Sequence, residues 1–204
     1  MSEKFDPLVA EWISFVKNPN FNLIEKCLKF SQLIEYPDLH VEEYIKKINW
    51  IGTSLKESLN GVKNPTYLIS MLNEHLFENL GYSGDDDDYY NPKNNFLNEV
   101  IDRKLGIPIT ISILYVEIAK LIGLDLKIVG FPSHIVVKYN EEMILDPYYD
   151  GRLLDIDDLQ EILNANFKGE LEFKPEFLDE VTSEQLLIRM VRNLKNSYIQ
   201  SFVY

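Results

Sequence analysis

The stretch that most constrains the fold is residues 108–122, whose apolar side chains surround nearly the whole of a helix. A helix of this kind must be buried on most sides, so a central core helix is predicted. Pro108 suits its start, because proline is favoured at the first helical position. The short, β-branched-rich runs 126–130, 134–139 and 142–146 follow and predict strands. The chain is therefore predicted to have an α+β fold, with a buried central helix packed on a small antiparallel sheet.

Helices are predicted before and after this core. We expect residues 1–90 to form an N-terminal helical region and residues 91–204 to form the core with C-terminal helices. The clearest early helix has apolar residues at 3.6-residue spacing: Val41, Tyr44, Ile45, Ile48, Ile51, Leu55 and Leu59. Residues that cap helix N-termini mark five helix starts, at Asp6, Asn22, Asn64, Asp155 and Thr182.

The last two predicted strands hold a histidine and an aspartate that could meet across a hairpin. A three-residue turn would pair Val136 with Asp146, which places the carboxylate on the same face as His134, one diagonal away. A two-residue turn would pair His134 with Pro147 and send Asp146 to the opposite face. Both registers are compatible with the sequence.

The chain carries motifs that resemble a known family. They read NPKNNFLNEVIDRKLGIPITISILYVEIAKLIGL, FPSHIVVKY and ILDPYYDGRLL, with further similarity in IEYPDLHVEEYIKKI and LLIRMVRNLKNSY. Together they resemble the SirB-like (SirB-one) proteins of the transglutaminase-like superfamily, over most of the chain. The resemblance implies a papain-like α+β core.

The same resemblance assigns candidate site residues. Active members of the superfamily have a cysteine at the start of the core helix, and counting back from Gly123 by their spacing leads to Pro108. His134 and Asp146 match the other two triad positions. The SirB-like family generally lacks the cysteine, so Pro108 fits the resemblance. Because His134 and Asp146 are retained beside Pro108, we expect a catalytically inactive protein that acts as a protein-binding or regulatory module.

An enzyme is the alternative: a hydrolase or acyltransferase that uses His134 and Asp146 with a nucleophile other than cysteine. The nucleophile could be Ser112, one helical turn after Pro108, or a water activated by His134. If Ser112 has only a structural role, its hydroxyl is expected to donate a hydrogen bond to the carbonyl of the preceding turn. In a third hypothesis, the acidic helical region docks a basic partner and the core only supports it.

Charge and composition exclude several other classes of function. The net charge is −13, and no cluster of Lys and Arg occurs that would bind nucleic acid or an anionic membrane surface. The single cysteine, Cys27, allows neither an internal disulfide nor a Cys-based zinc cluster, and it is predicted to be a buried core residue. The aspartates at 85–88 lack the spacing of a calcium loop, so a solvated loop is expected. No metal or cofactor is expected.

Targeting signals are also not expected. The N-terminus has no basic stretch followed by an apolar one, as a signal peptide would. The longest apolar-rich run, residues 105–126, is interrupted by proline, glycine and charged residues and should not span a bilayer. We expect a soluble cytoplasmic protein with a protein partner.

Overall fold

The computed structural model describes residues 7–201, which form eight α-helices and six short β-strands. The helices are α1 (Pro7–Val16), α2 (Leu23–Ile34), α3 (Val41–Ser58), α4 (Pro65–Asn73), α5 (Leu97–Arg103), α6 (Pro108–Leu121), α7 (Ile156–Phe167) and α8 (Ser183–Ser201). The strands are β1 (Ser83–Gly84), β2 (Leu105–Gly106), β3 (Lys127–Val129), β4 (Val136–Asn140), β5 (Met143–Asp146) and β6 (Arg152–Leu154). The predicted α+β fold is confirmed.

Helix α6 is the central helix of the core. All of its first eight residues, Pro108 to Tyr115, are buried. It packs against the helices α2, α3, α4 and α5, and also against β3, β4 and the segment Pro147–Tyr149. The apolar residues all round this helix therefore have partners in both the helical and the sheet layers.

The predicted helix starts carry the expected capping bonds. Asn22 Oδ1 accepts from the N–H of Glu25 at 2.9 Å, and Glu25 Oε2 accepts from the N–H of Asn22 at 2.7 Å. Asn64, Asp155 and Thr182 likewise accept from backbone N–H groups of α4, α7 and α8. These side chains satisfy N–H groups that have no partner within the helix. The predicted cap Asp6 lies outside the described residues.

The main sheet is antiparallel, in the order β3-β4-β5-β6. In the hairpin, Val137 pairs with Leu145 and Lys138 with Ile144, which is the register predicted for a three-residue turn. Next to the turn, however, Asn140 pairs with Met143, because an irregularity between Lys138 and Asn140 absorbs the extra residue. The strands thus have the register predicted for the three-residue turn, but the loop itself has the shorter length of the two-residue turn.

Strand β6 and the parallel pair β1–β2 were not predicted. After Asp146, the chain makes a 3-10 turn at Pro147–Tyr149, and β6 then returns beside β5. The return places α7 over the outer face of the sheet, where Leu159 and Leu163 pack with Val136 and Ile144 in a second apolar cluster. The site described below lies between this turn and α7.

The main apolar cluster draws residues from both of the predicted regions, for example Leu28 of α2 and Leu55 of α3 with Ile118 of α6. The division between residues 90 and 91 stays a prediction. Between residues 7 and 201, no helix combines the length and the apolarity that crossing a membrane requires.

Candidate functional site

His134 and Asp146 lie in contact at one end of the hairpin. His134 Nε2 is 2.9 Å from Asp146 Oδ2. His134 lies just before β4 and Asp146 is the last residue of β5, so the observed register places them on one face, one diagonal apart. The Asp146 side chain is 0% exposed and that of His134 is 13% exposed, so the pair is nearly enclosed by protein.

Backbone contacts hold both partners in place. The other carboxylate oxygen, Asp146 Oδ1, accepts from the N–H of Tyr148 at 3.1 Å and so caps the 3-10 turn. The N–H of His134 donates to the carbonyl of Phe131 at 3.0 Å across a tight turn in which Ser133 has φ +63. Arg189 of α8 donates to the His134 carbonyl at 2.7 Å. Two turns and a distant helix therefore fix the geometry of the pair.

Tyr148 packs beside the histidine and connects it to the acidic loop. Its ring centroid lies 6.5 Å from that of His134 in an edge-on arrangement, and its hydroxyl donates to Asp86 Oδ1 at 2.7 Å. Burial, with a further contribution from Asp86, raises the pKa of Tyr148. A Cβ atom at Gly84 would lie 2.5 Å from the Tyr148 ring, so only glycine permits this close approach.

The expectation of a solvated loop at residues 85–88 is wrong for Asp85. Asp85 is only 5% exposed, and its Oδ2 accepts from Asn94 Nδ2 at 2.9 Å and pairs with Arg103 Nη2 at 3.3 Å. These bonds compensate for removing the carboxylate from water. Asp87 is exposed, as expected. In the described part of the chain, no group of three or more His, Cys, Asp or Glu side chains is placed to hold a metal ion.

An open pocket of about 380 Å³ adjoins the His134–Asp146 pair. Its lining comprises His134, Asp146, Tyr149 and Arg152, together with Asp158, Glu161, Ile162, Ala165 and Asn166 of α7. The Arg152 guanidinium lies over the Tyr149 ring, 5.4 Å from its centroid. The pocket therefore places mostly charged and polar groups, with one aromatic and two aliphatic side chains, beside the histidine.

Pro108 and Ser112 lie in the first half of α6. Pro108 is buried at the first helical position. Nearby, Thr110 Oγ1 accepts from the N–H of Ile107 at 3.1 Å and donates to the carbonyl of Asn94 at 2.9 Å. Neither Pro108 nor Ser112 lines the pocket.

Ser112 itself departs from its predicted structural role. Its side chain is fully buried, and within residues 7–201 its hydroxyl has no hydrogen-bond partner. The predicted bond to the preceding turn is therefore absent, and so is a bond to His134. A histidine must be within hydrogen-bond reach to activate a serine, and that requirement is not met here.

Sequence reasoning missed the α7 side of the pocket. Asp155 correctly marked the start of α7, but nothing in the sequence placed that helix beside His134. Strand β6 makes this connection, and its Arg152 and Leu154 lie in a run too short to stand out as a strand. Nothing in the sequence indicated that the exposed Tyr149 lines the pocket.

Comparison with known proteins gives a consistent assignment. Residues 42–192 match the family model described as Transglutaminase-like superfamily. A UPF0162 protein of Xylella fastidiosa is 32% identical over 170 residues, covering 80% of this chain and 60% of that relative. A UPF0162 protein of Vibrio cholerae is 26% identical over 134 residues, covering 63% of this chain and 49% of the relative.

A third relative is much longer. F-box only protein 21 of Mus musculus is 27% identical over 138 residues, covering 62% of this chain but 21% of that protein. This chain thus spans at most about 60% of the length of these relatives. No solved structure matches it significantly. With the family model covering most of the chain, the resemblance noted in the sequence is confirmed, and the chain belongs to the transglutaminase-like superfamily.

Proposed function

We propose that this chain is a non-catalytic transglutaminase-like module that binds a protein partner through the pocket beside His134 and Asp146. One observation carries the proposal. The histidine–aspartate pair is kept and opens onto a pocket of about 380 Å³, while the nucleophile position implied by the family holds Pro108. Proline has no nucleophilic side chain, so the pair retains a binding surface without the chemistry of a thiol enzyme.

The state of Ser112 supports this choice over a serine enzyme. A substrate carbonyl would have to reach a hydroxyl that is 0% exposed and outside the pocket. The hydroxyl would also need a base, and Ser112 has no bond to His134. The remaining enzymatic alternative, a water activated by His134, predicts ester hydrolysis that is lost in His134→Ala.

The arrangement of the relatives supports a binding module. In F-box only protein 21 the similar region is only about 21% of the protein, so there it is one part of a much longer chain. A region that forms one part of a longer protein can act as a module, and its function then depends on its own site. The open pocket is the surface that we assign to this role.

Blocking the pocket from its rim tests the proposal. Ala165 is exposed, lies on α7 and lines the pocket, so Ala165→Trp should fill the pocket without disturbing the core. Asn164→Trp is the matched control, because Asn164 is exposed on the same helix and does not line the pocket. Both variants should keep the circular dichroism spectrum and melting behaviour of the wild type.

A displayed library of random linear peptides is selected on the wild-type chain, and the enriched peptides are measured on both variants. We expect peptides that lose binding to Ala165→Trp but keep it for Asn164→Trp. If no enriched peptide distinguishes Ala165→Trp from the wild type, the pocket is not the binding site and the proposal is wrong.

A further inference from the structure

We infer that the pocket takes a cationic side chain, a lysine or arginine of the partner. This inference rests on the proposed function and adds the chemical class of the group that is bound. It follows from the charges that line the pocket and from the aromatic ring at its mouth.

Carboxylates outnumber cations in the pocket. Asp146, Asp158 and Glu161 line it, against the single guanidinium of Arg152. Asp146 is occupied by His134 and by the N–H of Tyr148, and Asp158 accepts from the N–H of Asp155 at 3.0 Å. In the described structure Glu161 makes neither a hydrogen bond nor an ion pair, and it is exposed. The pocket therefore keeps a free carboxylate for an incoming donor.

Tyr149 supplies a second feature that favours a cation. Its ring is 49% exposed, and the chain's own Arg152 already lies over it, 5.4 Å from the ring centroid. The negative face of an aromatic ring attracts ammonium and guanidinium groups. The contact with Arg152 shows that a guanidinium fits against this ring. A cation between Glu161 and Tyr149 would meet both attractions at once.

An anionic ligand fits this pocket poorly. It would have Arg152 as its one guanidinium partner and would face the carboxylates of Asp158 and Glu161, while Asp146 is 0% exposed and paired with His134. The exposed carboxylates Asp150, Asp155 and Asp157 flank the same region and extend the negative potential outward. Such a field raises the local concentration of cations and slows the approach of anions. The charge distribution thus decides between the two classes.

Two substitutions with opposite expected signs test the inference. The probes are synthetic copies of the selected peptides whose binding is lost in Ala165→Trp, and affinities are measured by fluorescence anisotropy. Glu161→Gln should weaken binding about three- to tenfold, since it removes the free partner of the bound cation. Arg152→Gln should strengthen binding about twofold, since it removes a repelling charge.

Asp157→Asn is the control for Glu161→Gln, because it removes one negative charge from the same helix outside the pocket. It should change the affinity by less than about twofold. Replacing the lysines of a probe peptide by glutamine, or its arginines by citrulline, should abolish binding that depends on the pocket. Binding should also weaken with rising salt.

The possible failures are distinguishable. If pocket-dependent peptides lack a shared lysine or arginine, or if Arg152→Gln weakens binding and Glu161→Gln strengthens it, the inference is overturned while the proposed function stands. If the enriched peptides bind Ala165→Trp as tightly as the wild type, the proposed function fails and the inference falls with it.

Discussion

His134 and Asp146 meet across one diagonal of the β4–β5 hairpin, with 2.9 Å between Nε2 and Oδ2. The same carboxylate caps the 3-10 turn through the N–H of Tyr148. Asp146 therefore joins three elements: the turn before β4, the end of β5 and the turn leading to β6. Asp146 also lines the pocket, so its role in stability is measured by unfolding and not by binding.

We expect Asp146→Ala to lower the free energy of unfolding by about 2–3 kcal/mol, because it leaves the Tyr148 N–H and the histidine ring without their acceptor. Asp146→Asn should cost less, since an amide oxygen can still accept from the Tyr148 N–H. Urea unfolding at pH 7 measures both. Asp125→Ala is the control, because the Asp125 side chain is 80% exposed and makes only a surface ion pair with Lys127. Equal losses for Asp146→Ala and Asp125→Ala would contradict the assigned role.

Two hydroxyl groups near the start of α6 should respond in opposite ways to removal. The Thr110 hydroxyl has partners at Ile107 and Asn94, whereas the Ser112 hydroxyl is buried without one. Thr110→Val should therefore cost about 1–2 kcal/mol, and Ser112→Ala should be neutral or slightly stabilising. Chemical denaturation of both variants is the measurement. A large loss for Ser112→Ala would mean that its hydroxyl has a partner in solution.

We also expect no covalent labelling of the wild-type chain by a serine-directed fluorophosphonate. Ser112 is inaccessible, and no base is within hydrogen-bond reach of its hydroxyl. Intact-mass spectrometry after incubation detects any adduct, with an active serine hydrolase labelled in parallel. An adduct present in the wild type and absent in Ser112→Ala would instead support the hydrolase alternative.

The sequence was sufficient for features set by local patterns and insufficient for those set by distant partners. The all-round apolar pattern located α6, and capping residues located α2, α4, α7 and α8. The hairpin register stayed open because both turns satisfy the local alternation, and the irregularity before Asn140 that combines them depends on packing. Periodicity also carries no information on which elements meet, so the approach of α7 to His134 could not be predicted.

Asp85 shows the same limitation in electrostatics. From the local sequence alone, four adjacent carboxylates are expected to repel one another, so a solvated loop is predicted. Arg103 comes from α5 and Asn94 from the 3-10 turn Pro92–Asn95, and only the fold brings both to Asp85. Asp85→Ala should therefore lower the free energy of unfolding by about 2 kcal/mol, because it removes the carboxylate that pairs with the mostly buried Arg103 guanidinium and accepts from the Asn94 amide.

Asp87→Ala is the matched control, since Asp87 is exposed and lies in the same run of aspartates. Its effect should stay within about 0.5 kcal/mol. Thermal and urea unfolding of the two variants side by side measure the contrast. Similar effects would restore the expectation of a solvated loop at this position.

Cys27 should be unreactive in the folded protein. It is 0% exposed, and burial, together with the negative charge of Glu117, raises the pKa of its thiol to about 12. The thiolate is the reactive form, so a disulfide reagent such as dithionitrobenzoate should not modify native protein at pH 8 and should modify it on unfolding in urea. Rapid modification of the native chain would show that the thiol is accessible.

The same pKa shift predicts a loss of stability in alkali. In the unfolded chain a thiol ionises near pH 8.5, whereas in the folded chain Cys27 keeps its proton until about pH 12. Its contribution to stability is therefore fully present below about pH 8.5 and falls as the pH rises above that value, by about 1 kcal/mol at pH 9.5. Urea unfolding at pH 7.5 and 9.5 measures the loss in the wild type. Cys27→Ala removes the titrating group, so the stability of this variant should depend less on pH between 7.5 and 9.5. If the pH dependence is the same as in the wild type, groups other than Cys27 cause the loss of stability in alkali.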